Sequence, residues 1–223
     1  GPLAGAPKSR PGPRGRSRGA RALWRPPLSA GAATSSGAGS GDPRDGDPLD
    51  LARALVALPS VNPVLSPGGA GEAAIAERTA GWLRGWGLET EVREVEPGRP
   101  NVVARLPGRG PTLLLNGHLD TVGVEGMERP PFEATVEDGR LWGRGACDMK
   151  GGLAAILATA HRLAAEEGPR PPLVVALTAD EEHASIGMQA LVRSGVRAEM
   201  AVVCEPTGLA VMPAHKGFVW VEA

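Results

Sequence analysis

Four short motifs combine acidic or histidine side chains with the ends of apolar runs. They are Asn116-Gly-His118-Leu-Asp120, Gly143-Arg-Gly-Ala-Cys-Asp148, Asp180-Glu181-Glu182 and Cys204-Glu205-Pro-Thr207. Imidazole nitrogens and carboxylate oxygens are ligands for divalent metal ions, and an acid that the metal does not need can act as a base. The motifs therefore predict a single rim of side chains, typical of half of a two-metal hydrolase.

Each motif, taken alone, is open to a second interpretation. In an extended chain His118 and Asp120 lie on the same side, so Asp120 can accept the second ring N–H of a metal-bound His118, although such pairs also occur on ordinary surfaces. Asp148 can bridge two cations, or it can cap a helix that begins near Gly151. Three further acids can bind metal or lie in solvated turns. These are Glu181, Glu182 and Glu205.

Apolar periodicity predicts alternating strands and helices from residue 48 onward. Helical spacing covers residues 51–58, 75–86, 151–167 and 187–193, and short apolar runs mark strands at 88–95, 101–106, 112–115, 173–177 and 200–203. This alternation predicts an α/β three-layer sandwich whose mostly parallel mixed sheet is covered by helices on both faces. Ligands of such sheets bind beyond the carboxyl ends of the strands, which is where the motifs fall.

Charge and composition divide the chain and argue against several classes of partner. Residues 1–41 carry seven Lys and Arg and no acid, whereas 17 basic and 25 acidic residues follow them, a net charge of −8. The acidic body argues against nucleic acid as a partner. No apolar run reaches the ~18 residues of a membrane-spanning helix, so we expect no membrane partner. Residues 1–47, rich in Gly and Pro, are predicted to be a disordered tail.

The cysteines and remaining histidines give weaker signals. Cys147 and Cys204 are predicted to be free thiols, buried as small apolar residues, which indicates a reducing compartment and a cytoplasmic protein. His161 is predicted to be solvated on the polar side of its helix. His183 follows the acid pair directly and is interpreted as either a support for the metal ligands or an exposed residue.

From about Leu51 onward the sequence resembles the acetylornithine deacetylase, succinyl-diaminopimelate desuccinylase and aminoacylase family of zinc-dependent metallopeptidases and amidohydrolases. The resemblance rests on five segments. They are residues 59–63 (PSVNP), 116–122 (NGHLDTV), 138–152 (DGRLWGRGACDMKGG), 178–183 (TADEEH) and 203–207 (VCEPT).

The resemblance implies a role for each candidate residue. His118 and Glu205 would hold one zinc ion, Glu182 would help to hold a second, and Asp148 would bridge the two. Two further roles follow. These are support of the histidine ligand by Asp120 and general-base catalysis by Glu181. The resemblance also implies two zinc ions per full-length subunit with cobalt as a possible substitute, an N-acyl amino acid or short peptide as substrate, and a homodimer.

The family pattern also sets expectations for the domains. Residues 48–212 would be the N-terminal part of the catalytic domain, and residues 213–223 would be the first strand of an inserted dimerisation or lid domain. The family completes its second metal site with a histidine after that insertion, a role that we do not expect for His215. We therefore expect a sandwich that is incomplete at its C-terminus and inactive alone. The alternative is a non-catalytic metal-binding or interaction module derived from the family.

Overall fold

The structure, a computed structural model, describes residues 41–214. Expectations for residues 1–40, and for residues 215–223 including His215, lie outside the described residues. The helices and strands, in chain order, are α1 (Pro48–Val56), α2 (Ala73–Gly85), β1 (Glu89–Glu96), β2 (Arg99–Leu106), β3 (Leu113–His118), β4 (Thr135–Glu137), β5 (Arg140–Trp142), α3 (Gly151–Ala165), β6 (Leu173–Thr178), α4 (Ile186–Arg193) and β7 (Met200–Val203). Residues 210–214 belong to a separate unit and contain no helix or strand.

Five strands form one mixed sheet in the order β1-β2-β6-β3-β7. β3 pairs in parallel with β6 on one side and with β7 on the other, whereas β2 pairs antiparallel with both β1 and β6. β6 lies at the centre, and all six of its residues are buried, which explains its uninterrupted apolar run. The predicted α/β fold with a mixed sheet is confirmed.

Helices cover both faces of this sheet. Leu173, Val175 and Leu177 of β6 point into a core shared with α2 and α3, and α1 packs on α3. The alternate residues Val174 and Ala176 point to the opposite face, where they pack near Leu191 of α4. The period-two alternation along one strand thus supplies apolar surface to both helical layers. None of the described helices is long and apolar enough to span a bilayer.

A short hairpin, β4–β5, was not predicted. Its turn contains Asp138 and Gly139, both with positive φ (50° and 71°), as expected for the Asp-Gly turns that favour hairpins. The sequence signal was therefore present, but each strand has only three residues. The guanidinium of Arg129 lies 4.1 Å from the centroid of the Trp142 ring and 2.6 Å from Glu137, which ties the hairpin to the preceding loop.

The described chain begins inside the segment predicted as a tail. The Asp42 side chain accepts a hydrogen bond from the Arg44 N–H and caps a short 3-10 turn, Pro43–Asp45. The indole N–H of Trp86 donates to the main-chain oxygen of Arg44 at 2.8 Å. Residues 41–47 therefore contact the domain, through α1 and through Trp86 at the end of α2, rather than lying apart from it.

Two minor predictions are wrong. His161 is not simply solvated: its ring lies edge-on to Trp86 with centroids 5.0 Å apart, and a Cβ at Gly46 would overlap it. Cys147 is exposed and Cys204 only half-buried, although both are free thiols as expected. Cys147 is exposed because it lies in the turn directly before α3, beside Asp148, rather than in the core.

Two helical glycines allow a direct test of the packing. A Cβ on Gly187 would lie 2.5 Å from the main-chain nitrogen and oxygen of Ala179, whereas a Cβ on Gly81 would meet no atom within 4 Å. Gly187→Ala should lower the free energy of unfolding by about 1–3 kcal/mol through overpacking. Gly81→Ala should raise it by about 0.5–1 kcal/mol through helix propensity. Urea unfolding measures both, and equal effects would contradict the close approach of α4 to the end of β6.

Candidate metal centre

Three strand ends meet at one edge of the sheet. His118 is the last residue of β3 and pairs with Thr178, the last residue of β6, while Asn116 pairs with Val203 at the end of β7. Because the three strands are parallel, their carboxyl ends point the same way. The residues that follow β6 and β7 therefore emerge beside His118, and these residues include Glu181, Glu182 and Glu205.

Asp148 reaches the same edge from a different element. It lies in a kinked turn, Ala146–Lys150, directly before α3, where its own backbone is extended (φ −123°, ψ 100°), and its carboxylate is 3.0 Å from Nε2 of His118. The N-cap of α3 is Lys150, with no side-chain capping hydrogen bond. The alternative role of Asp148 as a helix cap is therefore contradicted.

A glycine at the start of α3 allows the strand end carrying Glu205 to approach. A Cβ on Gly152 would overlap the carbonyl oxygen of Cys204. The end of β7 can therefore lie directly against the first turn of α3, next to Asp148. In this position a Glu205 carboxylate oxygen is 3.9 Å from Nε2 of His118.

The ligand atoms form two overlapping groups. In one, atoms of His118, Asp148 and Glu182 lie within 4.8 Å of one another, and in the other, atoms of His118, Glu181 and Glu205 do. Donor atoms around one tetrahedral zinc ion are about 3.3 Å apart at typical bond lengths of about 2.0–2.2 Å. The separations from Nε2 of His118, 3.0 Å to Asp148 and 3.9 Å to Glu181 and Glu205, are near or somewhat above that spacing, and the donor types suit a divalent ion. Both groups include His118, so the predicted division between two ions stays a prediction.

His118 and Asp120 are both buried, at 2% and 1% exposure. Nδ1 of His118 lies 2.9 Å from the main-chain oxygen of Asp120 and 3.5 Å from its carboxylate. Because a carbonyl can only accept, Nδ1 of a neutral His118 carries the proton and Nε2 is left as the ligand atom. The main-chain oxygen, rather than the predicted carboxylate, makes the closer contact.

The Asp120 carboxylate is occupied by other donors. It accepts hydrogen bonds from the main-chain N–H groups of Glu181 and Glu182, at 3.0 and 3.2 Å, and from the Asn62 side chain at 2.8 Å. A carboxylate has about four lone-pair positions, enough for these donors. Asp120 therefore supports the acid pair after β6 more directly than it supports the histidine ring.

The electrostatics of the cluster favour a bound cation. Burial lowers the pKa of His118, but hydrogen bonds to Asp120 and Asp148 outweigh burial and raise the pKa to about 11. Burial, together with neighbouring carboxylates, raises the pKa of Glu182 to about 7 and also raises the pKa of Glu205. The cluster thus binds the proton of His118 tightly, and repulsion between the carboxylates opposes their ionising together. A divalent cation would replace that proton as the positive charge and reduce the repulsion between the carboxylates.

Four buried polar residues behind the site had no role predicted from the sequence. They are Asn62, Glu72, Arg99 and Asp180. One signal was available for Glu72, because it continues the helical spacing of the buried residues Ile75, Ala76 and Thr79. His183, in contrast, is 44% exposed, and its Nδ1 lies 3.9 Å from Asp180, so the exposed alternative holds.

Comparison with known proteins agrees with this geometry. Residues 114–215 match the profile of "Peptidase family M20/M25/M40". The acetylornithine deacetylase of Vibrio campbellii is 33% identical over 174 residues, which are 77% of this chain and 46% of that protein. The chain belongs to the M20/M25/M40 peptidase family. A Staphylococcus aureus member with the name "Probable succinyl-diaminopimelate desuccinylase" is 35% identical over 136 residues, 58% of this chain and 34% of its own length.

The fold agrees with solved structures of the M20 family. The M20 family metallo-carboxypeptidase Sso-CP2 from Sulfolobus solfataricus superposes with a TM-score of 0.63 at 23% identity, covering 71% of this chain and 37% of that one. At that identity the likeness shows the fold alone. The chain spans less than half the length of the curated relatives it matches.

Binding of zinc should release protons, because the ligands hold them in the metal-free chain. His118, whose pKa is raised to about 11, should give up its proton on binding zinc at about pH 7 and about pH 8.5 alike, whereas Glu182, with a pKa of about 7, and Glu205, whose pKa is also raised, give up fewer protons as the pH rises. Calorimetry in buffers of different ionisation enthalpy should therefore show that zinc binding releases more protons at about pH 7 than at about pH 8.5.

Glu182→Gln should reduce the difference in proton release between the two pH values, with Glu205 accounting for the part that remains. The matched control is Glu77→Gln, because the Glu77 side chain is 70% exposed on α2 and lies outside the ligand groups. A release that does not change with pH in the unsubstituted chain would contradict the electrostatic account of the site.

Proposed function

We propose that this chain carries the metal centre of an amide-bond hydrolase acting on an N-acyl amino acid or a short peptide. The main support is the convergence of Asp148, Glu181 and Glu205 on Nε2 of His118, at 3.0, 3.9 and 3.9 Å. The names of the relatives, a deacetylase and a desuccinylase, support the substrate class, because both describe removal of an acyl group from an amino acid. The activity is proposed for the whole protein, as a cytoplasmic homodimer.

The proposed cofactor is zinc, two ions per full-length subunit, with cobalt as a substitute. His118, Asp148 and Glu205 would hold one ion, and Asp148 and Glu182 would contribute to the second. When bound, zinc polarises the scissile carbonyl and lowers the pKa of water at the site. The imidazole and carboxylate donors match the ligand preferences of this ion.

Glu181 is proposed as the general base. Its main-chain N–H is fixed by Asp120, while its side chain remains 44% exposed with one oxygen 3.9 Å from Nε2 of His118. The carboxylate can therefore contact both solvent and the reacting groups. In this role it takes a proton from the attacking water and delivers it to the leaving amine.

One observation favours the opposite assignment, in which Glu182 is the general base and Glu181 is a metal ligand. The pKa of Glu182 is raised to about 7 by burial and neighbouring acids, and a pKa near the working pH suits a general base. Glu181, in turn, belongs to one of the two ligand groups. The two assignments predict opposite results for substitution of each residue.

Glu181→Gln should lower kcat by roughly 10² or more, the scale of a lost general base, with zinc content unchanged. Glu182→Gln should instead lower zinc content. The assay uses the purified full-length protein loaded with zinc or cobalt, with N-acetyl amino acids, N-succinyl-diaminopimelate and dipeptides as substrates. Glu77→Gln serves as the control. If Glu181→Gln loses metal while Glu182→Gln retains it and loses turnover, the two roles are exchanged.

Asp148→Ala should remove both zinc ions rather than one, because the bridging carboxylate contributes to each. Elemental analysis of the purified variant, alongside the unsubstituted protein, measures the stoichiometry. Retention of one full equivalent of zinc would reject the bridging role.

A protein that binds zinc but hydrolyses none of these substrates would instead support the alternative of a non-catalytic metal-binding or interaction module.

A further inference from the structure

A buried charge network lies directly behind the candidate metal centre. We define it as Glu72, Arg99 and Asp180, together with Asn62. The side chains of Glu72, Arg99 and Asp180 are 0%, 6% and 1% exposed. Arg99 donates to both carboxylate oxygens of Glu72 at 2.6 Å and to Asp180 at 3.0 Å. Two acids thus share one guanidinium in the interior of the domain.

Asp180 holds both ends of the loop that carries the acid pair. One of its carboxylate oxygens accepts from the main-chain N–H groups of Ala184 and Ile186, at 3.1 and 3.4 Å, and its carbonyl accepts from Ser185 at 2.6 Å. Its own N–H donates to Glu72 at 3.1 Å. Residues 181–186 therefore form a loop closed on Asp180.

The backbone of Asp180 is in a conformation that needs outside support. Its φ is 62°, in the left-handed region that non-glycine residues rarely occupy. Such conformations persist where the surroundings hold them in place. Here the N–H, the carbonyl and both carboxylate oxygens of Asp180 all have partners, so the direction in which the chain leaves β6 is fixed.

Asn62 links this network to Asp120. Its side-chain amide donates to a carboxylate oxygen of Asp120 at 2.8 Å and to one of Asp180 at 2.9 Å. Asp120 in turn accepts from the N–H groups of Glu181 and Glu182. The start of the loop, at Glu181 and Glu182, is therefore held by Asp120 and its end, at residues 184–186, by Asp180, while Asn62 ties the two aspartates together.

We propose that Arg99 and Asp180 are positioning residues that set the orientation of Glu181 and Glu182 without contacting metal or substrate. Arg99 neutralises part of the buried negative charge and fixes Asp180, and Asp180 fixes the loop. Removing the guanidinium geometry would leave two buried acids imperfectly paired. The effect on metal binding rests on the proposed function, whereas the effect on the loop does not.

The test compares the same substitution at two positions of one strand. Arg99→Lys replaces the guanidinium that fixes Asp180, while Arg105→Lys changes a half-buried residue of β2 that lies 3.8 Å from Glu91, away from the site. Amide hydrogen exchange is measured in the metal-free chain. Arg99→Lys should raise the exchange of residues 181–186 on the order of ten-fold, with β6 still protected. Arg105→Lys should leave both segments unchanged.

A second measurement reports on the metal ligands. Cobalt affinity and the visible spectrum of bound cobalt should both change in Arg99→Lys, with affinity weakened roughly 10- to 100-fold, as for other residues that orient ligands. A purely structural role would lower stability and leave the cobalt spectrum and the loop exchange as in the control, which would overturn the proposal. If the unsubstituted chain binds no cobalt, the proposed function fails, while hydrogen exchange still tests the network.

Asp180→Asn repeats the test with a variant of the same size. Its amide can still accept from Arg99 and Asn62 through one oxygen but cannot accept from Ala184 and Ile186 through the other position. It should reproduce the faster loop exchange even if Arg99→Lys does not fold. Unchanged exchange of residues 181–186 in Asp180→Asn would refute the positioning role.

Discussion

The parallel pairing of β3 with β6 and β7 is the constraint on which the candidate site depends. It brings three strand ends to one edge of the sheet, so that a histidine at the end of one strand meets acids that follow the other two. The antiparallel strands β1 and β2 contribute no ligand, but β2 carries Arg99 to the same region. Had β7 paired antiparallel, its carboxyl end would point the other way, and Glu205, which follows that end, would lie at the opposite edge of the sheet.

Placing so many acids at one edge of the sheet lowers the stability of the fold, and the structure shows how hydrogen bonds and ion pairs limit this effect. Buried carboxylates are tolerated when they are hydrogen-bonded or paired with a cation. Asp120 and Asp180 accept several main-chain hydrogen bonds, and Arg99 neutralises part of the charge on Glu72 and Asp180. The acids at the rim are less completely paired, and burial therefore raises the pKa of Glu182 and Glu205. The hydrogen-bonded acids Asp120 and Asp180 thus hold the site in place, and Glu182 and Glu205 remain able to bind a cation.

The sequence predicted the elements better than it predicted the contacts between them. Short apolar runs and helical spacing located the five strands of the sheet and the four α-helices of residues 41–214 within a few residues, because burial imposes those patterns locally. The kinked turn of Asp148 and the left-handed φ of Asp180 depend on contacts with residues 30 or more positions away, which no local pattern encodes. The partner of Nδ1 of His118 is only two residues away, but it is a main-chain oxygen, and a motif of side-chain types does not distinguish it from the carboxylate of the same residue.

Charge balance bears on the number of metal ions that the cluster can hold. The two ligand groups contain four carboxylates, of Asp148, Glu181, Glu182 and Glu205, and one imidazole. Two divalent ions would neutralise four ionised carboxylates, whereas one ion would leave two negative charges close together. In the second case the acids would bind protons instead, as the raised pKa of Glu182 indicates for the metal-free cluster. The protonation state of Glu182 thus depends on the number of ions bound, so occupancy of the second site and ionisation of its proposed ligand Glu182 are coupled.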